Sequence, residues 1–106
     1  MTIEIHGKQY VTVAERLVMA HEDGLVSVHT EVLSNTPVVI KATISTKTGV
    51  FTGISAANPN KAIEKASPYE VAETSAVGRA LGFAGYGATD GIATADEIKK
   101  SEDLPF

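Results

Sequence analysis

Val38-Val39-Ile40-Lys41-Ala42-Thr43-Ile44-Ser45 alternates without interruption, so an extended chain carries Val38, Ile40, Ala42 and Ile44 on one side and Val39, Lys41 and Thr43 on the other. Both neighbours of this stretch read the same way. On its N-terminal side Asn35-Thr36-Pro37 is turn chemistry. Before that turn, residues 25–33 alternate again, with Val26, Val28 and Val32 on one face and Ser27, His29 and Glu31 on the other. On its C-terminal side Thr46-Lys47-Thr48-Gly49 makes a hairpin loop, and residues 50–56 form a third strand. Short loops between β-rich runs imply an antiparallel meander with one dry face and one wet face.

Helical patterns flank the meander. Thr12-Val13-Ala14-Glu15 has capping-box form, in which the threonine oxygen and the glutamate each satisfy an amide that the helix leaves open. Behind it Val13, Leu17 and Ala20, flanked by Ala14 and Val18, recur at helical spacing, and Gly24 is a natural stop. This predicts a helix over 13–23. The chain before it is short and mixed, and suggests at most a short strand around Ile3 to Ile5.

After the meander, the loop over 57–66 contains the breaker cluster Asn58-Pro59-Asn60, with Ala62-Ile63-Glu64-Lys65 able to form a helical turn. Ser67-Pro68-Tyr69-Glu70 then opens a longer helix: serine as cap, proline where its missing N–H costs nothing, glutamate closing the box. That helix is expected to run to about Phe83. It carries one stripe of Ala72, Ala76 and Ala80 and another of Ser75, Gly78 and Gly82. A glycine inside a helix costs up to about 1 kcal/mol relative to alanine, so two of them four apart imply close approach to another backbone. That backbone is the protein's own sheet, a second subunit or a nucleic acid; the spacing does not choose among them.

Gly85-Tyr86-Gly87-Ala88-Thr89-Asp90-Gly91 reads as flexible and turn-rich. Thr94-Ala95-Asp96-Glu97 starts a short final helix, and Ser101 to Phe106 reads as an exposed tail. The expected class is α+β: a helix, a three-stranded antiparallel β-meander, then a longer helix packed on the sheet, with a flexible acidic C-terminal tail. The expected division is an α+β domain over 1–98 and a tail over 99–106.

A chain of 106 residues buries only about two-thirds of its unfolded surface, so a lone subunit is marginal and an oligomer is expected. No apolar run approaches the roughly 18 residues that span a bilayer, and Met1 to Tyr10 lacks the layout of a signal peptide. With no cysteine there is no disulfide, thiolate ligand or cysteine nucleophile, and a cytoplasmic location is the simple expectation. His6, His21 and His29 lack metal-ligand spacing, Lys47-Thr48-Gly49 lacks the glycine-rich run of a phosphate loop, and no nucleophile has an evident base. No metal, cofactor or catalysis is expected.

The formal net charge of −4 is unevenly spread. Up to Ala88 there are seven Lys and Arg against eight Asp and Glu; from Thr89 onward there are two against five. The body is therefore near neutral, and any surface for an anionic partner must come from local clustering.

Glu73-Thr74-Ser75-Ala76-Val77-Gly78-Arg79-Ala80-Leu81-Gly82-Phe83 resembles the second conserved helix of phage single-strand annealing proteins of the ERF/Sak kind. These are distant relatives of the eukaryotic recombination mediator that forms annealing rings. The resemblance extends to the preceding helix and meander, to Gly85-Tyr86-Gly87, and to Ile92-Ala93-Thr94-Ala95-Asp96-Glu97. It spans roughly residues 8–98, with about twenty-five of them specific. It implies sequence-neutral, ATP-independent binding of single-stranded DNA in phage replication or recombination inside a bacterial host. Protection and active annealing both remain open. In that family subunits pack side by side so that grooves join into a track, and a basic residue on this helix meets the DNA backbone. Arg79 stands at the matching position. Gly78 stands where members often carry a second basic residue, which puts the route of the strand in doubt.

Ser101-Glu102-Asp103-Leu104-Pro105-Phe106 is similar to the acidic tip of bacterial single-stranded-DNA-binding proteins. This implies a docking peptide for replication or repair proteins through Glu102, Asp103, Leu104, Pro105 and Phe106: the aromatic enters an apolar pocket and the acids steer approach. A solvated acidic tail is the plainer reading.

Several further residues are candidates for the DNA surface. Lys41 and Lys47 sit on the wet face and its adjoining loop, and Lys61 and Lys65 in the loop before the second helix; any of them also serves simply to solvate the surface. Phe51 is read onto the wet face, where stacking on a base explains it as well as burial under a loop or at a subunit contact; base stacking is worth about 1–3 kcal/mol. Tyr86, between two glycines, is a stacking candidate or a core anchor. Arg79 is a contact to the DNA backbone, the ion-pair partner of Glu73 or Glu70, or simply exposed. The rival function is a protein-interaction adaptor or inhibitor that docks on a host replication or repair protein through the tail and needs no DNA.

Overall fold

The structure, a computed structural model, describes residues 2–5 and 8–87. The elements are β1 (Thr2–Ile5), β2 (Lys8–Val11), α1 (Val13–Glu22), β3 (Ser27–Asn35), β4 (Val38–Thr46), β5 (Gly49–Ala56), α2 (Ala62–Ala66) and α3 (Pro68–Phe83). The expected class holds: a helix, a three-stranded antiparallel sheet in the order β3-β4-β5, then a longer helix packed on that sheet. The helix expected at Thr94–Glu97 and the tail over 99–106 lie outside the described residues. No helix among the described residues is long and apolar enough to cross a membrane.

The register sorts the sheet into two faces. Val28, Ile44 and Phe51 stand side by side across the three strands, as do Thr30, Ala42 and Gly53, and Val32, Ile40 and Ser55. Pairs directly opposite share a face, and this is the face that α3 packs on. The other face carries Glu31, Lys41 and Ile54 in one row and His29, Thr43 and Thr52 in the next. Val38, Ile40, Ala42 and Ile44 are buried, as their alternation implies.

The alanine stripe explains how α3 sits so close. Ala72, Ala76 and Ala80 are fully buried beneath the helix. Opposite them is Gly53, where a β-carbon would run into the Ala76 carbonyl and come within 2.6 Å of the Ala80 amide nitrogen. Close backbone approach is therefore made by the alanines against Gly53, while Gly78 and Gly82 lie buried on another side of the helix. The Gly78 carbonyl accepts a hydrogen bond from α1.

Both long helices stop in the same way. Gly24 (φ 88°) follows α1 and Gly85 (φ 101°) follows α3, a left-handed conformation that costs glycine little. The next amide reaches back five residues, Leu25 to the Ala20 carbonyl at 2.8 Å and Tyr86 to the Leu81 carbonyl at 3.1 Å. Leu25 and Tyr86 then fold onto the core.

The short strand suggested around Ile3 to Ile5 is present as β1, and it pairs antiparallel with β2, Thr2 opposite Val11 and Ile5 opposite Lys8; short segments carry too little periodicity to show a mate. Three sequence expectations need correction. Thr12 caps α1 through its oxygen to the Glu15 amide at 3.2 Å, but the Ser67 side chain makes no cap bond, so Pro68 at the first position and its fixed φ mark the start of α3. Phe51 lies on the helix side of the sheet opposite Ile44, half-buried against the core, because β5 begins at Gly49 and the register sets its parity. Finally, Val28 and Val32 share the helix-side face as their alternation implies, but that face is not dry at β3. Val26, Val28 and Val32 are 70%, 42% and 49% exposed, because α3 covers β4 and β5 and leaves β3 open.

Candidate nucleic-acid interface

The chain has two arginines, and the fold gives them opposite fates. Arg16 is completely buried. It falls on the face of α1 shared by Val13 and Ala20, since residues three and four apart stand over one another. Its Nη1 donates to the Gly78 carbonyl at 2.7 Å and its Nη2 to the Gly87 carbonyl at 3.3 Å. A buried guanidinium requires such acceptors, and here it ties α1 to the middle of α3 and to the turn beyond it. Sequence reading assigned it no role, although the 13–16–20 spacing placed it on the inward face.

Arg79 is exposed. One residue before the buried Ala80, it projects from the flank of α3 that passes over Gly53 of β5, where its β-carbon closes against the strand. Glu73, one residue after Ala72, projects from the opposite flank and accepts from the Thr30 hydroxyl at 2.9 Å. Farther up that flank the Tyr69 hydroxyl donates to Asn35 at 2.8 Å. The flank toward β3 is thus acidic and polar, and the flank toward β5 carries the arginine.

The candidate lysines do not gather around Arg79. Lys41 stands on the face away from α3, between Glu31 of β3 and Ile54 of β5, so the sheet separates it from Arg79. Lys47, at the β4–β5 turn, lays its stem over Gly24, with Nζ 3.0 Å from where a β-carbon there would be. That is the C-terminal end of α1, which favours a cation. Lys61 and Lys65 belong to the α2 segment, and α2 packs beside α3. Arg79 lies eleven residues beyond Pro68, on the order of 16 Å along the helix. Glu64 of α2 is buried, and its carboxylate accepts from the Asn58 amide at 2.8 Å, which pins the loop that follows β5.

Both aromatic candidates lean on the core. Phe51 packs against it from the helix side of β5. Tyr86 rests its ring on the same cluster while its hydroxyl donates to Asp23 at 2.7 Å, joining the ends of α1 and α3. That hydrogen bond, with some desolvation and the carboxylate charge, holds the phenol above its ordinary pKa of 10.0.

The partner-docking candidates Glu102, Asp103, Leu104, Pro105 and Phe106 lie outside the described residues, as does His6. Among the described residues no group of three His, Asp or Glu is placed to hold a metal ion. Comparison with family models, with curated proteins and with solved structures finds no match to this chain.

Proposed function

We propose that this protein binds single-stranded DNA without sequence preference or ATP, as an oligomer, in phage replication or recombination. The observation that carries this reading is Arg79. It stands exposed on the β5-side flank of the helix whose sequence, Glu73 to Phe83, resembles that of phage annealing proteins.

The arrangement favours a strand running beside α3 at the β5 edge. A path through a pocket shared by all the candidate lysines is disfavoured, because Lys41 is on the far face and Lys47 is at the end of α1. One arginine per subunit is a weak contact. Repetition along an oligomer multiplies it, since each further subunit binds at a raised effective concentration. The C-terminal Glu102 to Phe106 would recruit replication or repair proteins.

Fluorescence anisotropy with a labelled poly-dT oligonucleotide, at low and moderate salt, tests the reading. Binding is expected to weaken with salt, because each phosphate neutralised releases counterions. It should also weaken in Arg79→Ala, with the fold verified by circular dichroism. No binding by the wild type at low salt would overturn the proposal. The uncovered valines of β3 and the near-neutral body would then favour a protein-interaction adaptor.

A further inference from the structure

β3 is an edge strand of nine residues, and among the described residues it pairs only with β4. Sheet edges are ordinarily protected by lysine, proline, an inward charge, a β-bulge or a covering element, because unpaired N–H and C=O groups template another strand. Ser27-Val28-His29-Thr30-Glu31-Val32-Leu33-Ser34-Asn35 contains no lysine and no proline. Its charged Glu31 points to the open face, and α3 leaves it uncovered. Val28, Val32 and Leu33 are 42%, 49% and 50% exposed. A register shift between Val32 and Ser34 interrupts the pairing with β4 toward the C-terminal end, so the regular part of the edge ends near Val32.

The same strand is self-complementary when turned end for end about Thr30. Val28 then meets the partner's Val32 on the helix side, His29 meets the partner's Glu31 on the open side, and each pair occurs twice. A one-residue slip in the sum of paired positions would set valines against charges. Among registers that keep the faces matched, a centre at Glu31 sets two carboxylates opposite each other. A centre at His29 sets two histidines opposite each other and separates Val28 from Val32.

We propose that two copies of this chain pair antiparallel through β3, with the dyad at Thr30, to make one six-stranded sheet. This rests on the oligomeric part of the proposed function and is independent of DNA binding. The dyad stands perpendicular to the sheet, so both α3 helices lie on one face, about four strand spacings or about 19 Å apart. Both Arg79 flanks face outward, away from the join. The Glu73 side chains line the trough between the helices, above Val28, Val32 and Thr30 of each subunit.

The absence of cysteine makes the register directly readable. Single variants Thr30→Cys, His29→Cys, Glu31→Cys and Thr52→Cys are oxidised mildly without DNA and resolved on a non-reducing gel, with sedimentation velocity run on the wild type. The expected result is a wild-type dimer and a covalent dimer through Thr30→Cys in preference to the other three. Val28→Lys/Val32→Lys should weaken the dimer by roughly tenfold or more with the fold retained, since like charges then oppose across the dyad. His29→Glu should weaken it too, by facing two carboxylates, and His29→Glu/Glu31→His should restore it. A wild type that stays monomeric at its highest soluble concentration would overturn the proposal. So would crosslinking preferentially through Thr52, His29 or Glu31, which places the join on β5 or moves the dyad. Failure of poly-dT binding would sink the DNA reading and leave the dimer untouched.

Discussion

β5 and β3 are the two edges of one sheet, built from comparable alternating sequence, yet they have different surroundings. Over β5 and its neighbour β4 lies α3, close enough that Gly53 has no room for a β-carbon against Ala76 and Ala80. Over β3 the same face is open. Val28, across from the fully buried Ile44, is 42% exposed, and Val32, across from the buried Ile40, is 49% exposed. The difference lies in the width of a helix. One α-helix is about 10 Å across with its side chains and roofs two strands spaced about 4.8 Å apart, leaving the third uncovered. α1 does not close the gap, because Arg16 and the paired helix ends fasten it against the C-terminal half of α3.

Breaking the covered half should cost most. Leu81 is fully buried in α3, and Leu81→Ala is expected to destabilise the fold by about 2–5 kcal/mol in a chemical denaturation curve. A cost below 1 kcal/mol would mean that α3 is not seated on the sheet as described. Gly53→Ala is expected to cost about 1–3 kcal/mol by the same measurement, because the added methyl must push helix and strand apart. A neutral Gly53→Ala would show that the approach is looser. On the open half, Val32→Thr, measured where the chain is monomeric, should change stability by no more than about 0.5 kcal/mol. A loss comparable to that of Leu81→Ala would reveal a cover over β3 and erase the contrast between the edges.

The elements themselves were readable because their signals are local. Alternation over Val38 to Ser45, turn chemistry at Asn35-Thr36-Pro37 and Thr46-Lys47-Thr48-Gly49, and the glycine stop after α1 each depend on a few adjacent residues. The β3–β4–β5 order and the end of α3 at Phe83 follow from them. The Ser67 cap misled because a serine at a helix start can be present without bonding. Phe51 misled because one residue at a strand's beginning reverses every side chain in it.

The candidate site was less legible. Arg79 could be named from its motif and is exposed, but the dispersal of Lys41, Lys47, Lys61 and Lys65 depends on which face and which end of the fold each one occupies. Arg16 lay in plain view on a helical stripe. Its role required two acceptors sixty-two and seventy-one residues away, the Gly78 and Gly87 carbonyls.

By itself, then, the sequence determined the extended and helical segments, the antiparallel order of the meander, and which residues of each strand share a face. Backbone sterics and short-range periodicity suffice for those. Only the tertiary structure decided which strands α3 would roof, which arginine would be buried, and which edge strand's helix-side valines would be left bare. Those outcomes depend on the distance at which helix and sheet come to rest, and Gly53 sets that distance against Ala76 and Ala80, which lie 23 and 27 residues further along the chain.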